Sequence, residues 1–192
     1  MPRPDPAAFA FLSNRRSRPA KLFAGPVPDR DQLLPILTAA LRVPDHGKIE
    51  PWRLIVVDRA AMQRLADLAE ARARELGGDA EKIGKGRGQY DMGQLAVVVM
   101  SSPKDHPKVP PAEQIASAHA LCMNILNAAE AAGWGANWLT GWPAHDATFA
   151  ARAFGCTLAE SVAGIVHIGT PHTDGPDRPR PDPDRIITWP AS

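Results

Sequence analysis

The sequence predicts a single domain of layered α/β or α+β architecture, in which a few strands are covered by helices. Three apolar, β-branched stretches have strand length and composition: Trp52–Val57 (WRLIVV), Leu95–Ser101 (LAVVVMS) and residues 161–169 (SVAGIVHIG). Amphipathic or alanine-rich segments of helical period separate them. At 192 residues with 44% hydrophobic and 22% charged content, the chain can bury a core without disulfide or metal staples.

In chain order, residues 7–14 form a short helical candidate with Ala7, Ala8, Phe11 and Leu12 on one side, delivering Arg15-Arg16-Ser17-Arg18 at its end. Pro19, Pro26 and Pro28 mark a loop. Leu33, Ile36, Leu37, Ala40 and Leu41 then follow the stripe of an amphipathic helix, with Asp29 or Asp31 as its N-cap. Pro44 ends that helix, and Pro44 and Pro51 together pin a polar loop, residues 45–50, against the first strand. Residues 60–76 read as a helix stopped by Gly77-Gly78. Four glycines and mixed charge make residues 79–93 a mobile connection with at most a short helix, placed to cover a pocket.

A second proline-bounded loop, His106 to Pro111, leads into the longest helix, residues 112–132, which is apolar on most sides and suits a central core or a subunit interface. Residues 133–142 (GWGANWLTGW) read as extended, and residues 145–154 as a short helix closed by Gly155. Residues 170–192, rich in proline, aspartate and arginine, form an extended C-terminal arm of the same domain.

A formal charge of +1 and a pI near 7.9 give no general attraction to nucleic acid or anionic membrane. No uncharged apolar stretch approaches the roughly 20 residues that span a bilayer, and Met1-Pro-Arg-Pro-Asp-Pro does not read as a secretion signal, so the expected location is cytoplasmic. Cys122 and Cys156 lack metal or redox spacing and are expected to be inert, buried thiols. The six histidines show no HxH or HExxH spacing, so no metal site is expected, and a GxSxG elbow is missing too. Neither GxGxxG nor GxxxxGK[ST] is present, so any nucleotide-like cofactor must have its phosphate held by side chains.

Arg15, Arg16 and Ser17 offer two guanidinium forks and a hydroxyl just past a helix end, a set able to grip one phosphate; the plain alternative is a solvated basic turn. Asp45-His46 suits a metal half-site, a general base with its orienting carboxylate, or a pair that hydrogen-bonds a ring or ribose hydroxyls. Trp134, Trp138 and Trp142 recur among glycines, as against a planar cofactor or in an aromatic core.

Taken together, four blocks resemble the FMN-dependent nitroreductase family, in its short single-domain branch, over residues 11–171. They are Arg-Arg-Ser after a short helix, Arg42-x-Pro44-Asp45-His46 followed by Pro51-Trp52 and a strand, a Lys108-Val109-Pro110 loop before an alanine-rich helix, and Gly133-Trp-Gly-x-x-Trp138-x-Thr140-Gly141. The resemblance implies an α+β nitroreductase-like fold: a central, mainly antiparallel sheet flanked by helices, in an entwined homodimer with two FMN sites at the interface. By position, Arg15, Arg16 and Ser17 would hold the phosphate and nearby ribityl oxygens, Arg42 and His46 would approach the flavin from the partner subunit, and Trp138, Leu139 and Thr140 would line its other side. The implied activity takes hydride from NADH or NADPH and reduces nitroaromatic or quinone-like acceptors by a ping-pong mechanism, with the chemistry centred on the flavin. Rival readings are another flavin reaction on the same fold, such as reductive dehalogenation or flavin breakdown, and a dimeric scaffold without reductase activity.

Two positions depart from the family pattern. Leu139 stands where many members have arginine, and Glu50 where glutamine is common. Arg180 or Arg185 from the arm is the candidate replacement for the missing charge.

Overall fold

Strand pairing in the computed structural model, which describes residues 3–173 and 178–190, centres on β5 (Ser161–Pro171). β3 (Leu95–Ser101) pairs along one edge of β5 and β4 (Gly135–Leu139) along the other, while β2 (Trp52–Val57) adds to the far side of β3. A two-residue strand, β1 (Phe23–Ala24), pairs with the C-terminal end of β5. Every pairing is antiparallel, so the fold is α+β.

The alternation of apolar side chains along β3 explains why both faces of the sheet are covered. Leu95, Val97 and Val99 face one core with α2 (Arg30–Ala40) and α5 (Pro111–Ala131). Ala96, Val98 and Met100 face the other, with α3 (Arg59–Glu75), α4 (Ala80–Asp91) and α7 (Ala147–Phe154). α1 (Pro6–Asn14) lies outside both cores with no buried residue. Asp29 is the N-cap of α2, in a capping box with Gln32.

Residues 79–93 correct the reading of a mobile connection, since α4 occupies most of them. Asp79 caps it by accepting from the Lys82 N–H at 2.8 Å, and Tyr90 anchors it in the core. Arg87 ties it to α3 through Asp67 and Glu70. One of its glycines is a contact site: a Cβ at Gly86 would lie 2.7 Å from Cζ2 of Trp142. The indole is held there by Nε1–H donation to the Lys82 carbonyl at 3.0 Å and by the Lys82 ammonium over the ring. Gly86, like Gly93 against Met62, thus records close packing where the sequence suggested freedom.

Residues 133–142 are extended only through Leu139, because Gly141 turns at φ +66 into the one-turn helix α6 (Gly141–Ala144). The following helix starts at Ala147, where the Asp146 carboxylate accepts from the Phe149 N–H at 2.7 Å. Cys122 is buried and its thiol pushed up to about 12 by burial, whereas Cys156 is half-exposed, against the expectation of burial. In the arm, α8 (Pro183–Ile186) is a single exposed turn, and Arg180 donates to the Ser13 carbonyl at the end of α1. Residues 174–177 and 191–192 of the expected arm lie outside the described residues.

Gly86→Val is expected to lower unfolding stability by about 1–3 kcal/mol through overpacking against Trp142. Gly84→Ala, whose Cβ meets nothing within 4 Å, should raise it by about 0.5–1 kcal/mol. Urea titration of the two variants checks the contrast.

Candidate functional site

The segment leaving α1 runs beside β4, and two hydrogen bonds hold it there. The Arg18 N–H donates to the Ala136 carbonyl at 3.3 Å, and Asn137 Nδ2 donates to the Arg18 carbonyl at 2.7 Å. Two clefts follow along this seam. A cleft of about 250 Å³ is lined by Asn14, Arg15, Arg16, Arg18, Trp134 and Gly135. A larger one of about 460 Å³ opens between β4 and α4, lined by Pro19, Gly84, Gln89, Met92, Asn137 and Leu139. Gly135, Asn137 and Leu139 reach the clefts together because alternate residues of a strand share a face.

Arg15 has its charge committed within the chain. Its Nε donates to Glu130 Oε2 of α5 at 2.6 Å, and its Nη2 donates to Ser17 Oγ at 2.9 Å. With side chains 17% and 9% exposed, the Arg15–Glu130 pair anchors the segment to the C-terminal end of α5. Arg16 and Arg18 supply the other guanidinium groups of the smaller cleft.

His46 stands at the other end of α5, and the chain from Ala40 through Arg42 to His46 runs along that helix towards its start. Asn124 Nδ2 donates to the Ala40 and Arg42 carbonyls, Ser117 Oγ donates to the Pro44 carbonyl at 2.7 Å, and His46 Nδ1 meets Glu113 Oε2 at 2.7 Å. Glu113 and Glu130 are 17 residues apart on one helix, so His46 and Arg15 are separated by roughly 25 Å along its axis. Within one chain the two groups do not share a cleft.

Of the three residues expected to line a flavin at β4, Leu139 faces the larger cleft. Trp138 turns to the opposite side, where its ring lies over Gly164 and beside His119, with centroids 6.1 Å apart. Thr140 sits at the exit of β4 and precedes the α6 turn. The other tryptophans diverge as well: Trp134 packs against the α5 core and lines the smaller cleft, and Trp142 packs on α4.

Behind the larger cleft lie buried polar atoms without hydrogen-bond partners among the described residues, Asn137 Oδ1 and both ring nitrogens of His167, while the Gln89 side chain and the Tyr90 hydroxyl lie within reach of each other. His167 is cross-strand from Asn137 and from Ala96, so it shares their face, and burial alone lowers its pKa to about 4. Gln89, Asn137, Glu113 and Glu130 were missed in the sequence. Asn137, a polar residue inside an apolar strand, carried a usable signal; the glutamates pair across 67 and 115 residues and carried none.

The profile of the nitroreductase family matches residues 12–170. The chain belongs to the nitroreductase family. Membership places it among oxidoreductases. It is 32% identical over 183 residues to "Putative NAD(P)H nitroreductase YdjA" of Escherichia coli K12, covering 95% of this chain and 98% of that one. Its fold resembles the crystal structure of a nitroreductase-like family protein from Bacillus cereus, with a TM-score of 0.76, 20% identity and all of both chains covered. It also resembles an FMN-dependent nitroreductase from Clostridium difficile R20291, with a TM-score of 0.66, 22% identity, and 94% of this chain and 98% of that chain covered. The antiparallel, helix-covered sheet is thus the nitroreductase fold, and no described helix of this family member is long and apolar enough to cross a membrane.

His167 gives the fold an acid sensitivity. A folded-state pKa near 4, below the usual 6.5, means that the unfolded chain binds more protons between those values. Titration of this residue therefore leaves stability at neutral pH unchanged and lowers it as pH drops from about 6.5 to about 4, by about 3 kcal/mol in the limit. Urea unfolding at both ends of that window should show a smaller loss for His167→Leu than for the natural protein.

Proposed function

We propose that this chain is an FMN-dependent oxidoreductase, acting as a homodimer, that takes hydride from NADH or NADPH and reduces nitroaromatic or quinone-like acceptors in alternating half-reactions. The single observation that carries the reading is the pair of clefts along β4: an arginine-lined one continuous in chain order with an apolar one beside a helix bearing glycines. The first has the donor chemistry of a phosphate site, with Arg16 and Arg18 as its cations and Ser17, oriented by Arg15, as a neighbouring hydroxyl. Of the arm's arginines, Arg180 is drawn to the end of α1, whereas Arg178 lines the larger cleft together with Leu139 and is the candidate for the charge that Leu139 lacks.

The second cleft suits a flat ring. Gly84 leaves open space where a side chain would stand, and a Cβ at Gly88 would meet only Met92. Asn137 Oδ1 provides a buried acceptor without a hydrogen-bond partner among the described residues, with the Gln89 amide beside it in the lining, so the cleft offers polar groups to the edge of a ring. FMN, when bound, supplies the redox chemistry. The chain binds the phosphate, excludes water with Leu139 and Met92, and brings the positive charge of Arg42 to the site.

The length of α5 supports the dimer. Two α5 helices packed antiparallel about a twofold axis would set the His46 end of one chain beside the Arg15 end of its partner, completing two equivalent sites. Ile115, His119 and Met123, at i, i+4 and i+8, form an exposed stripe on α5 suited to that contact. Small nitroaromatics or quinones match the apolar wall in which Leu139 replaces a charge.

The purified protein is expected to carry FMN, or to acquire it with a change in the flavin spectrum, and to bleach anaerobically with NADH or NADPH. Arg16→Ala should weaken FMN binding about tenfold or more, the scale of a charge-assisted hydrogen bond, without loss of fold. A protein that takes up no flavin from excess FMN, with its circular dichroism intact, would overturn the reading.

A further inference from the structure

Around His46 the backbone is constrained on every side. The Asp45 carboxylate accepts from the Ile49 and Glu50 N–H groups at 3.2 and 2.9 Å, and Lys104 donates to the Ile49 carbonyl. Gly47, Lys48 and Glu50 all have positive φ, of 76, 53 and 49, a conformation two non-glycine residues adopt only where their surroundings impose it. The facing turn of α5 is equally fixed. The Gln114 amide donates to the Lys104 and Val109 carbonyls and accepts from the Lys104 N–H at 2.8 Å, pinning the residue next to Glu113. What remains free at His46 is rotation of its ring, and the 2.7 Å contact with Glu113 restrains that rotation.

The contact also decides which ring nitrogen carries hydrogen. An ionised carboxylate only accepts, so Nδ1 must be the donor; in the neutral imidazole Nε2 then holds a lone pair. We propose that Glu113 is a positioning residue that holds His46 with Nε2 as a hydrogen-bond acceptor for an N–H or O–H of the cofactor: the flavin imide or a ribityl hydroxyl. This rests on the FMN reading for the identity of the ligand, though not for the contact itself. Both side chains are more than half exposed, at 58% and 52%, so the dyad is open to a ligand held against a second copy of the chain. The site would thus select for a donor on its ligand, and a flavin carbonyl oxygen would not satisfy it.

The test reads tautomer and affinity separately. Nitrogen-15 correlation spectra of the neutral His46 ring in cofactor-free protein should show the Nδ1–H tautomer, kept in Glu113→Gln, whose amide oxygen still accepts, and mixed in Glu113→Ala. FMN titration by flavin fluorescence should give a Kd about tenfold weaker for Glu113→Ala, one hydrogen bond's worth, and near the natural value for Glu113→Gln. N3-methyl-FMN separates the donors: a weakening abolished by the methyl group assigns the imide, and one that persists assigns a ribityl hydroxyl. An Nε2–H tautomer in the natural protein overturns the proposal, as does an unchanged Kd in Glu113→Ala when the natural protein binds FMN. If the natural protein binds no FMN while showing Nδ1–H, the positioning contact stands and the cofactor reading falls.

Discussion

The burial of β3 on both faces is the constraint from which the rest follows. A strand with valine at successive positions and no exposed face requires apolar cover above and below, and the two cores meet that requirement with α2 and α5 on one side and α3, α4 and α7 on the other. β5 shares this burial and adds a second paired edge, which seats β4 where the seam of the clefts forms.

α5 acts as the ruler of the molecule. Its inner face enters the core through Leu121, Cys122, Ile125 and Ala129, which fixes its rotation. That rotation aims Glu113 at the His46 loop, Asn124 at the end of α2 and Glu130 at Arg15. A rigid helix thereby separates two groups that the proposed function assigns to one ligand, which is why that proposal includes a twofold assembly.

Near the clefts the fold keeps polar atoms that it does not satisfy internally. Buried donors and acceptors are nearly always paired in folded proteins, so Asn137 Oδ1, without a partner among the described residues, is a cost without internal return. Such costs gather where a ligand completes the hydrogen bonding. The strained run at Gly47, Lys48 and Glu50 is a second cost, held by Asp45 and placed where His46 is presented.

The three main strands, the two long helices and the Arg-Arg-Ser and Pro-Asp-His blocks were legible in the sequence, because periodicity, proline and capping act over a few residues. The helix at residues 80–91 was not, since its stability comes from α3 and Trp142, and glycines that read as freedom are contact surfaces once the partner ring is in place. The pleat of β4 sends the neighbours Trp138 and Leu139 to opposite faces, and the pairing register with β5 decides that Leu139 is the one at the cleft. Thus the sequence by itself determined the main strands and long helices, the family and the candidate residues, all local or ordered patterns. Only the tertiary structure decided that Arg15 is spent on Glu130, that Glu113 orients His46, and that these pairs lie at opposite ends of one helix. Those are contacts between residues far apart in the chain, set by packing that no local pattern encodes.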